Sequence, residues 1–393
     1  MAHMVKLGST LRILFMIGFL LAAGCSSVFA DPGKPVPEIP PIDYVQGVVV
    51  SVQALDNPAK KPSPGTGGTD LVILRLTSGP EKGQEVRSLH HKMNMPGMDI
   101  HPEPGDKVIV AVSQDLARKS YHIADYERLP YVYALLGIFA AVLLAVGRRV
   151  GLRSLFVICF AVFVILEVMI PLILKGFWSI TAITFAISAV IAVVTQVTVS
   201  GWNPKTWGAV LGTVGGVAIA GLLASLSITL MHLTGLDSEE AIMLKVTYLA
   251  SVNFQDVLFA GIILGSLGAV MDVAISIASA QYEIKGSCPE LRFWGLFKSG
   301  LNVGKDIMGT MSNTLILAYL GSFLPLILLL TTQQNLPLIK ILNLNLIVTE
   351  VVRAITGSIG LICAIPVTAA ITAFFLSRRA NRQRHGQLPH SSN

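Results

Sequence analysis

The sequence predicts an α-helical polytopic membrane protein with about seven transmembrane helices and a small N-terminal β-domain of barrel or OB-like type, placed outside the cytoplasm. Three observations carry that prediction. The composition is 53% hydrophobic and only 13% charged over 393 residues, with mean hydropathy +0.67, outside the range of ordinary soluble domains. From Pro130 onward, apolar runs recur at lengths near the roughly 20 residues needed to cross a bilayer. Between Tyr44 and Val112, short alternating runs are separated by turn clusters instead.

The start carries Lys6 and Arg12 ahead of an apolar run from Ile13 to Ala23, so residues 1–30 are expected to be a signal peptide or signal anchor. Two cleavage patterns compete with an uncleaved anchor. L-A-A-G-C ending at Cys25 suits lipidation, whereas V-F-A ending at Ala30 suits ordinary cleavage. Residues 31–43 form a proline-rich linker, too poor in apolar residues to pack.

The β-domain is expected over 44–128, with strands at Tyr44–Val52, Leu71–Thr77, Gln84–Leu89 and Lys107–Val112. The four cysteines, Cys25, Cys159, Cys288 and Cys363, all lie outside it, which excludes an internal disulfide framework.

The transmembrane domain is expected over 129–377. Its spans are Pro130–Val146, Ser154–Leu174, Trp178–Val199, Trp207–Met231, Val257–Ser279, Ile307–Leu330 and Arg353–Leu376. With alternating spans, Arg148, Arg149, Arg153, Lys205, Lys285, Arg292, Lys298 and Lys305 fall on the same side as the basic tail of residues 378–393. The opposite short loops hold only Lys175, Lys245 and Lys340. The positive-inside rule then places the tail in the cytoplasm and the β-domain outside a bacterial inner membrane. Leu236–Gln255 reads as an interfacial helix capped by Asp237 or Ser238. Net charge +6 is explained by this orientation, and no basic patch with interleaved aromatics supports nucleic-acid binding.

One face of the fifth span is set apart by its chemistry. Gly261, Gly265, Gly268, Asp272, Ser276, Ser279 and Glu283 fall within roughly 80° of one another on a helix turning about 100° per residue. The glycines are expected to pack another helix closely. The sixth span repeats the pattern with Asn302, Asp306, Gly309 and Asn313, and Lys305 is a natural partner for Glu283 or Asp306. If the two helices run antiparallel, Asp272 and Asn313 reach similar depths.

A carboxylate in the hydrocarbon costs about 2.5–3.5 kcal/mol on insertion scales unless it is protonated, paired or hydrated. The polar face is therefore expected to line an ion, proton or solute pathway, with helix packing as the competing use. The fourth span carries Gly208, Gly212 and Gly215 at the spacing of Gly261, Gly265 and Gly268, and the two stretches align without gaps. These glycines, too, are expected to serve helix packing.

In the β-domain, His90, His91, Met93, Met95, Met98 and His101 fall within one short stretch. Thioethers with imidazoles suit copper, especially Cu(I). The favoured alternative is a turn whose methionines pack against the domain or lipid, with no cofactor at all. No H-E-x-x-H, G-x-S-x-G or Walker loop is present, so no enzyme activity is expected.

The run from Gly268 to Glu283, G-A-V-M-D-V-A-I-S-I-A-S-A-Q-Y-E, and the run from Ser299 to Gly321 resemble the YibE/F-like family of bacterial membrane proteins. T-S-G-P-E-K-G-Q, from Thr77 to Gln84, resembles that family's exported domain. The resemblance implies an exported β-domain followed by multiple spans, and carries no activity or residue role. The histidine and methionine stretch is not part of that pattern.

The function expected is a permease or ion- or proton-coupled transporter of an unidentified ion or small solute. Its path would follow Asp272, Ser276, Ser279, Glu283, Asn302, Lys305, Asp306 and Asn313. The competing expectation is a non-transporting scaffold or sensor whose β-domain binds a cell-envelope partner. Oligomeric state stays open.

Overall fold

The computed structural model describes residues 43–55, 68–92, 99–115, 118–176, 178–332 and 337–385. The expected signal segment (1–30), nearly all of the linker, Met93, Met95 and Met98, and the end of the tail lie outside the described residues. The chain divides into two compact units at Val142/Leu143, fourteen residues beyond the boundary expected from sequence and inside a helix.

Among its described residues, the first unit holds five antiparallel strands: β1 (Asp43–Ala54), β2 (Thr69–Leu76), β3 (Glu85–His91), β4 (Lys107–Asp115) and β5 (Arg118–Tyr126). Their order is β3-β2-β1-β4-β5. Alternation buries Val45, Val49, Val72, Leu74, Leu76, Val86, Val108, Val110 and Ile123 on one face. Register shifts between Val49 and Ser51 and between Ile109 and Val110 add local twist, as an extra residue in one strand does. The sheet curls into a half-barrel in which β3 and β5 approach one another without pairing.

Glu81, in the β2–β3 turn, bridges toward β5 by accepting from Lys119 Nζ at 2.5 Å and Tyr121 Oη at 2.6 Å. These donors hold the Glu81 carboxyl below its usual range, and the Tyr121 hydroxyl, donating to a carboxylate, is pushed up to about 12. The fifth strand was not among the expected ones. Of the described side chains in its R-K-S-Y-H-I-A-D-Y sequence, only Ile123 is buried, so its alternation is faint.

The second unit contains the helices. The first helix, α1 (Leu129–Phe163), crosses from one unit to the other and is broken at Arg148, where φ 45° and ψ −116° leave helical geometry. A Cβ on Gly151 would run into the Leu143 carbonyl, so the chain turns back sharply at this break. A single π-helical turn, Val164–Met169, precedes α2 (Ile170–Lys175). It lies where the ring of Pro171 would crowd the carbonyl four residues earlier.

The remaining helices are α3 (Ile180–Ser200), α4 (Pro204–Leu230), α5 (Glu239–Thr247), α6 (Phe254–Ser287), α7 (Phe293–Ser322), α8 (Leu324–Thr332), α9 (Leu338–Leu342) and α10 (Asn345–His385). Ser238 caps α5 by accepting from the Ala241 N–H, as its sequence suggests.

Among the described residues, five helical stretches are long and apolar enough to cross a membrane, or six if α7 and α8, bent by 59° between Ser322 and Leu324, form one span. The expected first and second spans both fall in the 47-residue stretch Leu129–Lys175. At 1.5 Å per residue that stretch is about 70 Å long, against a hydrocarbon core of about 30 Å, and the Arg148 break divides it.

At the centre of this unit, α4, α6 and α10 pack on one another, with α7 against α6 and α10 and α3 against α4 and α6. Gly216 and Gly360 bring α4 and α10 backbone to backbone. A Cβ on Gly216 would lie 2.9 Å from the Gly360 carbonyl oxygen, and one on Gly360 would lie 2.5 Å from Ala220 Cβ. Two glutamines tie the layers. Gln196 Nε2 donates to Thr213 Oγ1 at 2.7 Å, and Gln281 Nε2 donates to the carbonyls of Leu296 and Ala369 at 2.8 and 3.0 Å.

Candidate functional site

The face of α6 turned to the core is Ile262, Ile263, Ser266, Leu267, Val270, Val273, Ala274, Ile277, Ala278 and Gln281, all buried. Because that face takes the β-branched and large apolar side chains, the opposite stripe is left outward. Gly261, Gly265, Gly268, Asp272, Ser276 and Glu283 are exposed and Ser279 is half-buried. The expected close packing of these glycines is not what forms: none of the described residues lies within 4 Å of a Cβ built on Gly261 or Gly268. Gly265 alone of the three meets a neighbour, the hydroxyl of Tyr319 on α7.

The α7 stripe behaves the same way. Asn302, Lys305, Asp306, Gly309 and Asn313 are exposed, and a Cβ on Gly309 would meet nothing within 4 Å. Gly300 and Gly304 provide the close contacts of this helix instead, against Gln281 and against Ile365 and Ile277. Sequence reasoning passed over both, although each lies four residues from the next on the face opposite Asn302 and Asp306.

These contacts also fix how α6 and α7 run. Ile277 lies beside Gly304, Gln281 beside Gly300 and Gly265 beside Tyr319, so the helices are antiparallel. Asp272, five residues from Ile277, falls level with the turn from Gly309 to Asn313. The depth match expected from sequence is present, and both side chains lie on the outward side of the helix pair.

The glycines of α4 form the tight face that was expected of them. Gly208 lies against Thr372, Gly212 against Thr368 and Gly215 against Val367, all on α10. Thr368 and Thr372 are buried, and their four-residue spacing matches that of Gly208 and Gly212.

In the sheet, His90 Nε2 is 2.8 Å from the Ile100 carbonyl, His91 Nδ1 is 3.0 Å from Thr69 Oγ1, and His101 Nδ1 is 3.0 Å from the Asp99 carbonyl. Each imidazole is thus engaged locally. Among the described residues, no three His, Cys, Asp or Glu side chains come together as a metal cluster. The methionines of the copper alternative fall outside the described residues.

An apolar helical unit with several membrane-length helices, preceded by a small curled sheet, defines a multi-pass membrane-embedded protein. The chain belongs to the YibE/F-like family: the model of that family, described as YibE/F-like protein, matches residues 135–378, well over half of its length. No curated protein and no solved structure matches it.

Proposed function

We propose that the chain is a membrane permease whose polar path runs along the outward groove of α6 and α7, through Asp272, Ser276, Ser279, Glu283, Asn302, Lys305, Asp306 and Asn313. The observation that carries this reading is the joint exposure of the two polar stripes at matched depth. Charged and amide groups within membrane-length helices are costly against lipid, so they need water, an ion or a partner surface. Glycines along the same groove leave room for that occupant.

In the same reading the Leu129–Lys175 stretch supplies two spans divided at Arg148, α7 and α8 together form one, and the total is seven. The basic loops and tail lie in the cytoplasm and the sheet, an OB-like half-barrel, faces outward across a bacterial inner membrane. No enzymatic step is assigned to the protein.

The test is flux. Purified protein is reconstituted in liposomes, and proton, sodium and potassium movement is followed with ion-sensitive dyes for the wild type and for Asp272→Asn. The reading expects wild-type flux of at least one of these ions, reduced tenfold or more by Asp272→Asn with folded protein retained. Equal flux of every ion in the two proteins, with both folded, overturns the acidic path.

A further inference from the structure

A second polar cluster lies at the α6/α7/α10 seam and meets the outward α6 stripe at Gly265, beside Tyr319. Glu350 and Arg353, three apart on α10, form an ion pair with Nη1 to Oε1 at 2.9 Å. Glu350 is only 9% exposed, and its second oxygen, Oε2, has no hydrogen-bond partner among the described residues. Arg353 Nε, Tyr319 Oη and Thr349 Oγ1 are buried atoms in the same condition.

These atoms belong to one neighbourhood. Tyr319 on α7 is in electrostatic reach of both Arg353 and Glu350, and Thr349 lies one helical turn before Arg353. Gly357, on the same face of α10 as Glu350 and Arg353, meets Ser266 of α6 and Leu315 of α7, which places this face at the α6/α7 seam. Gly265 then has a specific purpose: a Cβ there would collide with the Tyr319 hydroxyl.

Four buried polar atoms without partners are expensive. Each unmade hydrogen bond leaves a desolvated donor or acceptor, and native proteins meet such groups with protein atoms or ordered water. The charges narrow the occupant further. The Arg353 guanidinium already touches Glu350, so it repels a metal cation, while the carboxylate repels an anion. Water satisfies a lone carboxylate oxygen, a guanidinium N–H and two hydroxyls without adding charge, and water delivers protons.

We propose that Glu350, Arg353, Tyr319 and Thr349 form a hydrated proton-binding site in the α6/α7/α10 seam, with Glu350 Oε2 as the acceptor. On loading, a hydronium ion gives its proton to Oε2 and leaves as water. An O–H bond forms on the carboxyl, one breaks on the donor, and the pair passes from net zero to one positive charge held by Arg353. The guanidinium, released from a full ion pair, turns its N–H groups to the site water and to the phenol oxygen.

Asp237, in the loop between α4 and α5, acts on Glu350 from outside the bundle. The exposed His232 stands in the same loop, and α9 adds the exposed Lys340. From α6 come Gly265 and Ser266, neither of which titrates, and, nearer its N-terminus, the half-buried Asp256, which accepts from Thr181 Oγ1.

The experiment reads protonation directly and does not depend on transport, so its failure is distinct from failure of the permease reading. Full-length protein in phosphatidylcholine/phosphatidylglycerol nanodiscs is titrated by infrared difference spectroscopy, following the carbonyl stretch of a protonated carboxylic acid and its shift in D2O. The proposal expects one titrating band present in the wild type and in Asp272→Asn and lost in Glu350→Gln. Glu350→Asp, which keeps the carboxyl, shifts the band and covers the case in which the glutamine variant does not fold. Absence of a titrating band in the wild type, its survival in folded Glu350→Gln, or an unmoved band in Glu350→Asp overturns it.

Discussion

Two glycine stripes with identical spacing meet opposite fates in this molecule. On α4, Gly208, Gly212 and Gly215 press against Thr372, Thr368 and Val367 of α10. On α6, Gly261 and Gly268 face none of the described residues within 4 Å, and Gly265 makes room for one hydroxyl. The cause lies in the rest of each helix and in the partner. The α4 stripe is met by two buried threonines at the same four-residue period, and the α4 and α10 backbones close further at Gly216 and Gly360. On α6 the large apolar side chains occupy the opposite face and claim the core, so the small and acidic face is the one left over. Small-residue spacing marks where a helix can be approached closely, and the side chains around it decide whether its own chain does so.

The sharpest way to break this comparison is to add one carbon to each stripe. In Gly212→Ala the new Cβ would lie 2.7 Å from Thr368 Cβ and 2.9 Å from its Cα, and a backbone atom cannot swing aside. The expected cost is about 3 kcal/mol, at the upper end for overpacking, read as a lower thermal midpoint in detergent or as loss of folded protein. An unchanged midpoint would falsify the tight contact between α4 and α10.

Gly265→Ala is expected to cost less, about 1 kcal/mol, because its Cβ meets only the end of a rotatable tyrosine side chain. Tyr319→Phe removes that obstacle. In the Tyr319→Phe background, Gly265→Ala should therefore lose its cost, a non-additivity that a double-mutant cycle on thermal unfolding measures. Full additivity would mean that Tyr319 is not what constrains Gly265.

Much of this architecture was legible in the sequence, and the limits have physical reasons. Periodicity located the α6 and α7 stripes, and residue counting put Asp272 and Asn313 at similar depths, because helix rise is constant. Periodicity could not say which face turned inward, since that depends on partners distant in sequence. Thr368 and Thr372 were the available signal for the fate of α4, matching the glycines in period from another helix. The contacts of Gly300 and Gly304 were hidden for the same reason: Gln281 and Ile365 are their partners, and neither is near in sequence. Glu350 and Arg353 lie three apart, at the spacing of a helical ion pair, whereas Tyr319 joins them only through the fold. The break at Arg148 is a single residue of left-handed backbone in a basic run, with no proline to announce it.

The smallest expected effect is the most discriminating. Gly268→Ala places its methyl where nothing stands within 4 Å, and alanine restricts the unfolded chain more than glycine does. The variant should therefore be neutral or more stable by about 0.5–1 kcal/mol, with a thermal midpoint equal to or above that of the wild type. Gly212→Ala, with the same chemistry on the same motif, moves the midpoint the other way. If Gly268→Ala instead destabilises the protein as much as Gly212→Ala, the α6 stripe is covered by another surface in the assembled protein. The contrast between the two stripes would then belong to the single chain alone, and a polar path open along α6 and α7 would lose its geometric basis.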